Sequence, residues 1–455
     1  MNHRRAEDRS AGPDQLLSFL TVQTLSLQVY RFLERIRRKG AALAGSPGSV
    51  LYNPFDRFQL AMNSSPVQTK RPQFKSGYLP TLDGWRAIAI AAVLLDHATT
   101  GFHQRASWYP LFRTGADGVS LFFAISGFLI CSRLLEEEQL SGSVSLKGFY
   151  IRRACRILPA AFTYLLVVAL LAMGAVVVVT PLEWWSCVLF FRNYLPPEWI
   201  RGGWGGYTIH YWSLAVEEHF YLLWPAMLAF SGRVRARYLA AVLAIVVAVW
   251  RWWDFHHQLV NRFLPGLLFG SRTDVRLDGL LLGCLAALVL VEPRWRAWLE
   301  RRFSAGVLWT FAIAYVLSQV VPRKHTYSIW ESIFLAAVVA GTVLHPAGVV
   351  GRVLENPAMK WVGRLSYSLY LWQELFLIPG ASYPFSLLQR FPLNLGMVFV
   401  IAVLSYELVE RPMIRLGHRL APPPTPGRID LGTPGACVPQ TANTEVRKRE
   451  LEGSA

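Results

Sequence analysis

Four ionisable residues interrupt one apolar stretch, and their types and spacing define the chemistry this chain can do. The stretch is Leu82–Phe102, LDGWRAIAIAAVLLDHATTGF, and it carries Asp83, Arg86, Asp96 and His97. As a helix rising about 1.5 Å per residue, it is long enough to cross a bilayer. Asp83 and Arg86 stand at its start, where a charge reaches the interface. Asp96 and His97 lie well along the run, where an ionisable group costs about 2.5–3.5 kcal/mol to insert and is rarely idle. Arg86 and His97 are close to three helical turns apart, so they share one face at a separation of roughly 16 Å. The functional reading is an inward polar face with His97 as proton acceptor. The bland alternative is that Asp96 and His97 simply reach the far membrane surface.

Three more groups have chemical potential. The segment KGFYIRRACRILPA sets Arg152, Arg153 and Arg156 at a membrane edge. Guanidinium groups bind phosphate in a bidentate manner, although arginines at that position also serve as ordinary topology signals. In HYWSLAVEEHFYLLWPAMLAF, Glu217, Glu218 and His219 fall inside an apolar helix. Glu217 lies four residues after Ser213 and shares its face, while Glu218 projects elsewhere. An ion pair with an intramembrane Arg is the plainer role for Glu217. Arg276 and Asp278, in TDVRLDGLLLG, are a third polar set, which a helix-holding pair would also explain. The five cysteines show no CxxC or Cys/His spacing, so packed free thiols are expected and no metal site is.

The elements that must position these residues are membrane helices. Hydrophobic residues make up 53% of the chain and charged ones 16%, against about 25% charged in a soluble protein. The formal charge of +17 does not indicate nucleic acid, because Lys and Arg gather in short loops between apolar runs. Residues 1–78 read as a cytoplasmic arm, partly amphipathic over residues 15–38 and without a signal-peptide pattern. Met62 opens a lead-in that suffices for the first span. Residues 79–420 form the membrane domain, and the Pro/Gly-rich tail 421–455 reads as disordered.

Crossings are expected at 82–102, 115–135, 157–180, 210–230, 238–253, 275–291, 303–321, 329–344, 365–379 and 394–410. The run 181–195 is too short and broken for a crossing and reads as a short or re-entrant segment. With ten crossings, the basic loops alternate and both termini fall in the cytoplasm. The expected fold is therefore all-α: a polytopic helix bundle of about ten spans plus a short segment.

The motifs LDGWRAIAI, GVSLFFAISGFLI, FYIRRACRILP, WSLAVEEHFYLLWP, TDVRLDGLLLG, SYSLYLW and SYELVERP occur in the order found in the acyltransferase-3 family. The chain resembles that family from about Pro80 to Arg415. The resemblance implies an integral-membrane enzyme that takes an acyl group, usually acetyl, from cytoplasmic acyl-CoA and acylates a hydroxyl of a surface glycan or its lipid-linked precursor. It further implies roles for Arg86 and His97, for the basic motif Arg152, Arg153 and Arg156, for Glu217, and for Arg276 and Asp278. Three positions depart from the pattern. Ser120 stands where Asp is frequent, His219 where Gln is frequent, and Gln373 where a YLWH motif has His.

Chemistry and resemblance agree on a mechanism. Acyl transfer to a hydroxyl needs a base, and a positioned His contributes roughly 10²–10⁴-fold in rate. Asp96 adjoins His97, but neighbours on a helix point about 100° apart, so a carboxylate from another helix, such as Glu217, can equally orient the imidazole. Arg152–Arg156 suit the phosphates of CoA. The expected partners are an acyl-CoA donor, a glycan or other hydroxyl acceptor, the lipid bilayer, and a separate extracytoplasmic protein if the membrane domain does not complete transfer alone. No permanently bound cofactor and no nucleic acid are expected, and the expected location is the bacterial cytoplasmic membrane. A transporter or flippase also needs a polar path through a bundle, but the matching broken halves that mark many transporters are not visible here.

Overall fold

Long apolar runs with few interior breakers make this an all-α protein, and no strand occurs among the described residues. The structure, a computed structural model, describes residues 78–103, 115–196, 206–303, 329–377 and 386–423, together with 199, 307 and 310. The arm 1–77, most of the expected span 303–321 and most of the tail lie outside the described residues.

The chain opens with α1 (Pro80–His103), α2 (Gly115–Ser141) and α3 (Leu146–Met173). A short α4 (Pro181–Val188) and a 3-10 turn at Arg192–Tyr194 follow. Then come α5 (Tyr211–His257), α6 (Leu259–Phe263), α7 (Thr273–Leu290) and α8 (Pro293–Arg302). The second half holds α9 (Ile329–Leu344), α10 (Val349–Leu354), α11 (Pro357–Leu377), α12 (Leu393–Ser405) and α13 (Arg411–Leu420).

Among the described residues, three stretches are long and apolar enough to cross a membrane: α2, α3, and the run from Leu393 to Leu420; α9 is a shorter apolar helix. The segment after α3 forms an eight-residue helix, about 12 Å long and too short to cross a bilayer. Thr180 caps it by accepting from the Glu183 N–H, and Pro181 occupies its first turn, where a missing N–H costs nothing.

Two expected elements differ in shape. The runs at 210–230 and 238–253 are joined as α5, which breaks at Gly232 (φ 70°, ψ 167°). That backbone region is open to glycine, so the chain turns there without a connecting loop. The last expected span does not stop at Glu410. It passes through a π turn at Tyr406–Glu410 and continues into α13.

Small residues set the closest helix crossings. A Cβ on Gly127 of α2 would overlap the Leu280 carbonyl, and one on Gly283 of α7 would overlap the Ala124 carbonyl. The two glycines thus let α2 and α7 meet backbone to backbone, which is how membrane helices pack without a hydrophobic drive. The Trp85 indole donates to Thr342 Oγ1 at 2.8 Å and ties α1 to α9. Cys131, Cys155, Cys187 and Cys284 are free thiols, while Cys437 lies outside the described residues.

Candidate active site

Arg86 on α1 and Arg153 and Arg156 on α3 wall a cavity of about 740 Å³, its mouth included. Arg153 and Arg156 are three residues apart, so one face of α3 presents both. α5 contributes Ser213 and Glu217, α11 contributes Ser366, Tyr367 and Tyr370, and α2 supplies apolar wall residues such as Phe122 and Phe123. Among the lining ionisable groups, three cations face one anion, so the cavity is suited to a negatively charged ligand.

Glu217 does face this cavity, and its carboxylate is fully engaged. Ser126 Oγ donates to Oε1 at 3.0 Å, while Tyr221 Oη and Arg153 Nη2 donate to Oε2 at 2.6 and 3.5 Å. The Arg153 guanidinium also lies 3.7 Å above the Tyr221 ring. A planar cation fixed by a carboxylate and a ring face is pre-organised, with little freedom left to lose on binding. Glu410, buried in the π turn, accepts from Ser368 Oγ and sits in the electrostatic field of Arg156 and Arg86. Such turns recur at functional sites because they re-aim side chains.

Arg152 is placed elsewhere. Its guanidinium donates to Glu137 Oε2 at 2.7 Å and to the Ala421 carbonyl at 3.3 Å, and it is absent from the cavity wall. Glu137 also accepts from the Ser145 N–H, so Arg152 joins the end of α2, the start of α3 and the end of α13.

Arg276 and Asp278 do not pair with each other. Arg276 Nη2 donates to Ser120 Oγ at 3.1 Å, and its guanidinium lies over the Phe123 and Trp212 rings at 5.4 and 5.7 Å. Ser120, where the family pattern often has Asp, thus meets this arginine with a neutral hydroxyl. Asp278 is held in bidentate fashion by Arg251 at 2.9 and 3.0 Å and by Ser332 Oγ at 2.9 Å, which ties α7 to α5 and α9. His219 shares a hydrogen bond with Thr273 Oγ1 at 2.8 Å.

His97 lies beyond the cavity wall, against α11. Its Nδ1 is 3.1 Å from Gln373 Oε1. An amide oxygen only accepts, so with the Gln373 amide in this orientation the proton is on Nδ1 and Nε2 is the basic nitrogen; the opposite amide orientation would reverse the two. The ring is 35% exposed, so a substrate can reach it. Glu374 Oε1 stands 3.8 Å from the same Nδ1, and among the described residues it is the carboxylate within 4 Å of this ring. Glu217, with its partners Ser126, Arg153 and Tyr221, is not that neighbour. Asp96 turns to α2, where Oδ2 accepts from the Gly115 N–H at 3.2 Å and serves the open end of that helix.

Tyr370 connects the two regions. It lines the cavity, its hydroxyl is 2.5 Å from Ser213 Oγ, and it donates to the His210 carbonyl at 3.1 Å. Glu374 is one turn further along the same face of α11. Tyr370 of the cavity wall and the His97 neighbours Gln373 and Glu374 thus stand within about one turn of each other on α11. Gln373, Glu374, His210 and Glu410 escaped sequence reasoning as site residues. The signal available was polarity inside an apolar run, the rule that singled out His97.

Comparison with known proteins places this architecture. The chain is 27% identical over 384 residues to a peptidoglycan O-acetyltransferase, OatA, of Listeria monocytogenes, covering 76% of this chain and 57% of the relative. It is 26% identical over 393 residues to the O-acetyltransferase OatA of Staphylococcus aureus strain NCTC 8325, covering 79% and 61%. A putative O-acetyltransferase of S. aureus strain COL matches at 26% over 395 residues, covering 78% and 60%. The chain thus spans about three-fifths of the length of these relatives. No solved structure matches it. The sequence model of the acyltransferase-3 family, described as an acyltransferase domain, matches residues 79–407, which hold the site residues above except Glu410, and the chain belongs to that family.

Proposed function

We propose that this chain is a membrane O-acetyltransferase that moves an acetyl group from acetyl-CoA to a hydroxyl of a cell-envelope glycan. The supporting observation is the arginine-walled cavity, with Tyr370 in its wall one turn before the Gln373 and Glu374 that stand against the His97 ring. Arg86, Arg153 and Arg156 receive the phosphates of CoA, and the thioester arm extends toward His97. The roughly 16 Å between Arg86 and His97 along α1 is comparable to the reach of an extended pantetheine arm. His97 Nε2 takes the proton of the acceptor hydroxyl as its oxygen attacks the acetyl carbonyl. The C–O bond forms, the C–S bond breaks, and the departing thiolate collects the proton. The names of the relatives favour an envelope glycan of the peptidoglycan type as acceptor. Cytoplasmic donor and external acceptor fit a bacterial cytoplasmic membrane, the alternation of basic loops puts both termini inside, and a separate extracytoplasmic partner serves if the membrane domain does not complete transfer alone.

Binding of labelled acetyl-CoA to purified protein tests the donor site. Arg156→Gln and Arg153→Gln should each weaken binding about tenfold or more, since a hydrogen bond to a charged group is worth about 1.5–3 kcal/mol. Unchanged affinity in two well-folded variants would remove CoA from this cavity.

A further inference from the structure

Two imidazoles share one buried carboxylate. Glu374 Oε1 is 3.8 Å from His97 Nδ1 and 4.0 Å from His210 Nδ1, and the Glu374 side chain is 7% exposed. His210 precedes α5 and is 2% exposed, and neither of its ring nitrogens has a hydrogen-bond partner. Aromatic edges clamp its ring: Tyr211 at 5.0 Å, Tyr164 at 5.1 Å and Tyr370 at 5.6 Å between centroids. An orphaned polar ring held this firmly is costly to keep and needs a reason. The same site lacks an imidazole where the family motif has one, because Gln373 occupies that place.

We propose that Glu374 and His210 are positioning residues for His97. This rests on His97 being the base. Gln373 fixes the His97 tautomer but is neutral, so it gives little to the cation that forms when Nε2 takes the acceptor proton. The Glu374 carboxylate supplies the opposing charge at Nδ1, in a buried setting where such a charge acts strongly. His210, its Nδ1 4.0 Å from the same oxygen and its ring wedged between tyrosines, bounds the carboxylate on its other side without bonding to it and so limits where it can point. The remaining charged groups around the cluster are Arg192, in the turn after α4, whose field reaches His210, and Asp96 on α1, which is engaged with α2. Neither comes within 4 Å of Glu374 as an ion pair among the described residues.

The hydroxyl proton moves to His97 Nε2 and the Nδ1 proton stays in its bond to Gln373. Glu374 stays ionised throughout, and the thiolate is protonated when His97 returns its proton. Neither Glu374 nor His210 touches the reacting atoms in this scheme.

The test is steady-state acetyl transfer from acetyl-CoA by the full chain in membranes, with Glu374→Gln, Glu374→Asp, His210→Phe and His97→Ala compared at equal folded amounts. Glu374→Gln keeps size and polarity but loses the charge, so kcat should fall about 100-fold with the KM for acetyl-CoA within about twofold. Glu374→Asp should recover at least a tenth of wild-type kcat. His210→Phe keeps the aromatic clamp and should lower kcat about tenfold, again without moving KM. A purely structural role would lower folded protein or raise KM instead, and would not be rescued by Asp. If Glu374→Gln retains kcat within about threefold while His97→Ala is inactive, this assignment is wrong and the base assignment stands. If His97→Ala is also active, the underlying reaction scheme fails with it.

Discussion

Arg152, Arg153 and Arg156 look alike in sequence and have separate fates in the fold. Helix phase explains the division: residues 153 and 156 point into the cavity, whereas 152 turns to Glu137 and the Ala421 carbonyl. Nothing local to FYIRRACRILP reveals this, because both Glu137 and Ala421 come from other elements. Arg152→Gln should therefore lower stability by about 1.5–3 kcal/mol, the worth of a hydrogen-bonded charge. Its acetyl-CoA affinity should stay within about twofold of the unmodified protein, since it makes no contact with the cavity. Thermal unfolding in detergent and ligand titration check the two parts separately. Glu217 was legible as the inward member of its pair with Glu218, but its partners were not: Ser126, Arg153 and Tyr221 assemble only in three dimensions. For His97 the orienting group is an amide on α11 with a carboxylate beside it, not the Asp96 next to it in sequence. The polar pair Gln373–Glu374 was visible in an apolar run. Its partner, the His97 ring on α1, was not, because the two helices lie far apart in sequence.

At the scale of elements, the glycines of α2 and α7 fix where the path can lie. Gly127 and Gly283 bring those backbones together, and α7 then presents Arg276 to Ser120 and Phe123 on α2. A side chain at position 283 meets carbonyl and amide atoms of α2 rather than a flexible side chain, so the helices must separate. Gly283→Val should cost about 1–3 kcal/mol or more through overpacking, seen as a lower melting temperature in detergent. Gly396 in α12 has open space around it, and Gly396→Ala should be neutral or stabilising by up to about 1 kcal/mol from helix propensity. The small residues Ser126 and Gly127 permit a close helix neighbour, yet its identity as α7 does not follow from sequence. The eight-residue α4 was legible from length alone. The joining of two apolar runs through Gly232 was not, because a Ser-Gly pair followed by Arg233, Arg235 and Arg237 reads equally as a loop.

Across the whole molecule, the all-α class and the order of the helices follow from apolar runs and their punctuation, and membership of the acyltransferase-3 family follows from motifs spread over residues 79–407. What sequence could not supply is the pairing between distant helices, such as α1 with α11, where His97 meets partners 276 residues away. That pairing sets the half-buried imidazole beside Gln373 and Glu374, one turn from the Tyr370 of the cavity wall, and the proposed reaction depends on it. The most direct measurement is transfer of labelled acetyl from acetyl-CoA to envelope glycan in membranes holding either the unmodified chain or His97→Ala, with acetyl-CoA binding measured on the same preparations. The expected result is transfer lost by about 100-fold or more in His97→Ala while binding is retained, because the base is removed and the donor cavity is untouched. Near-normal transfer by a well-folded His97→Ala protein would contradict the account.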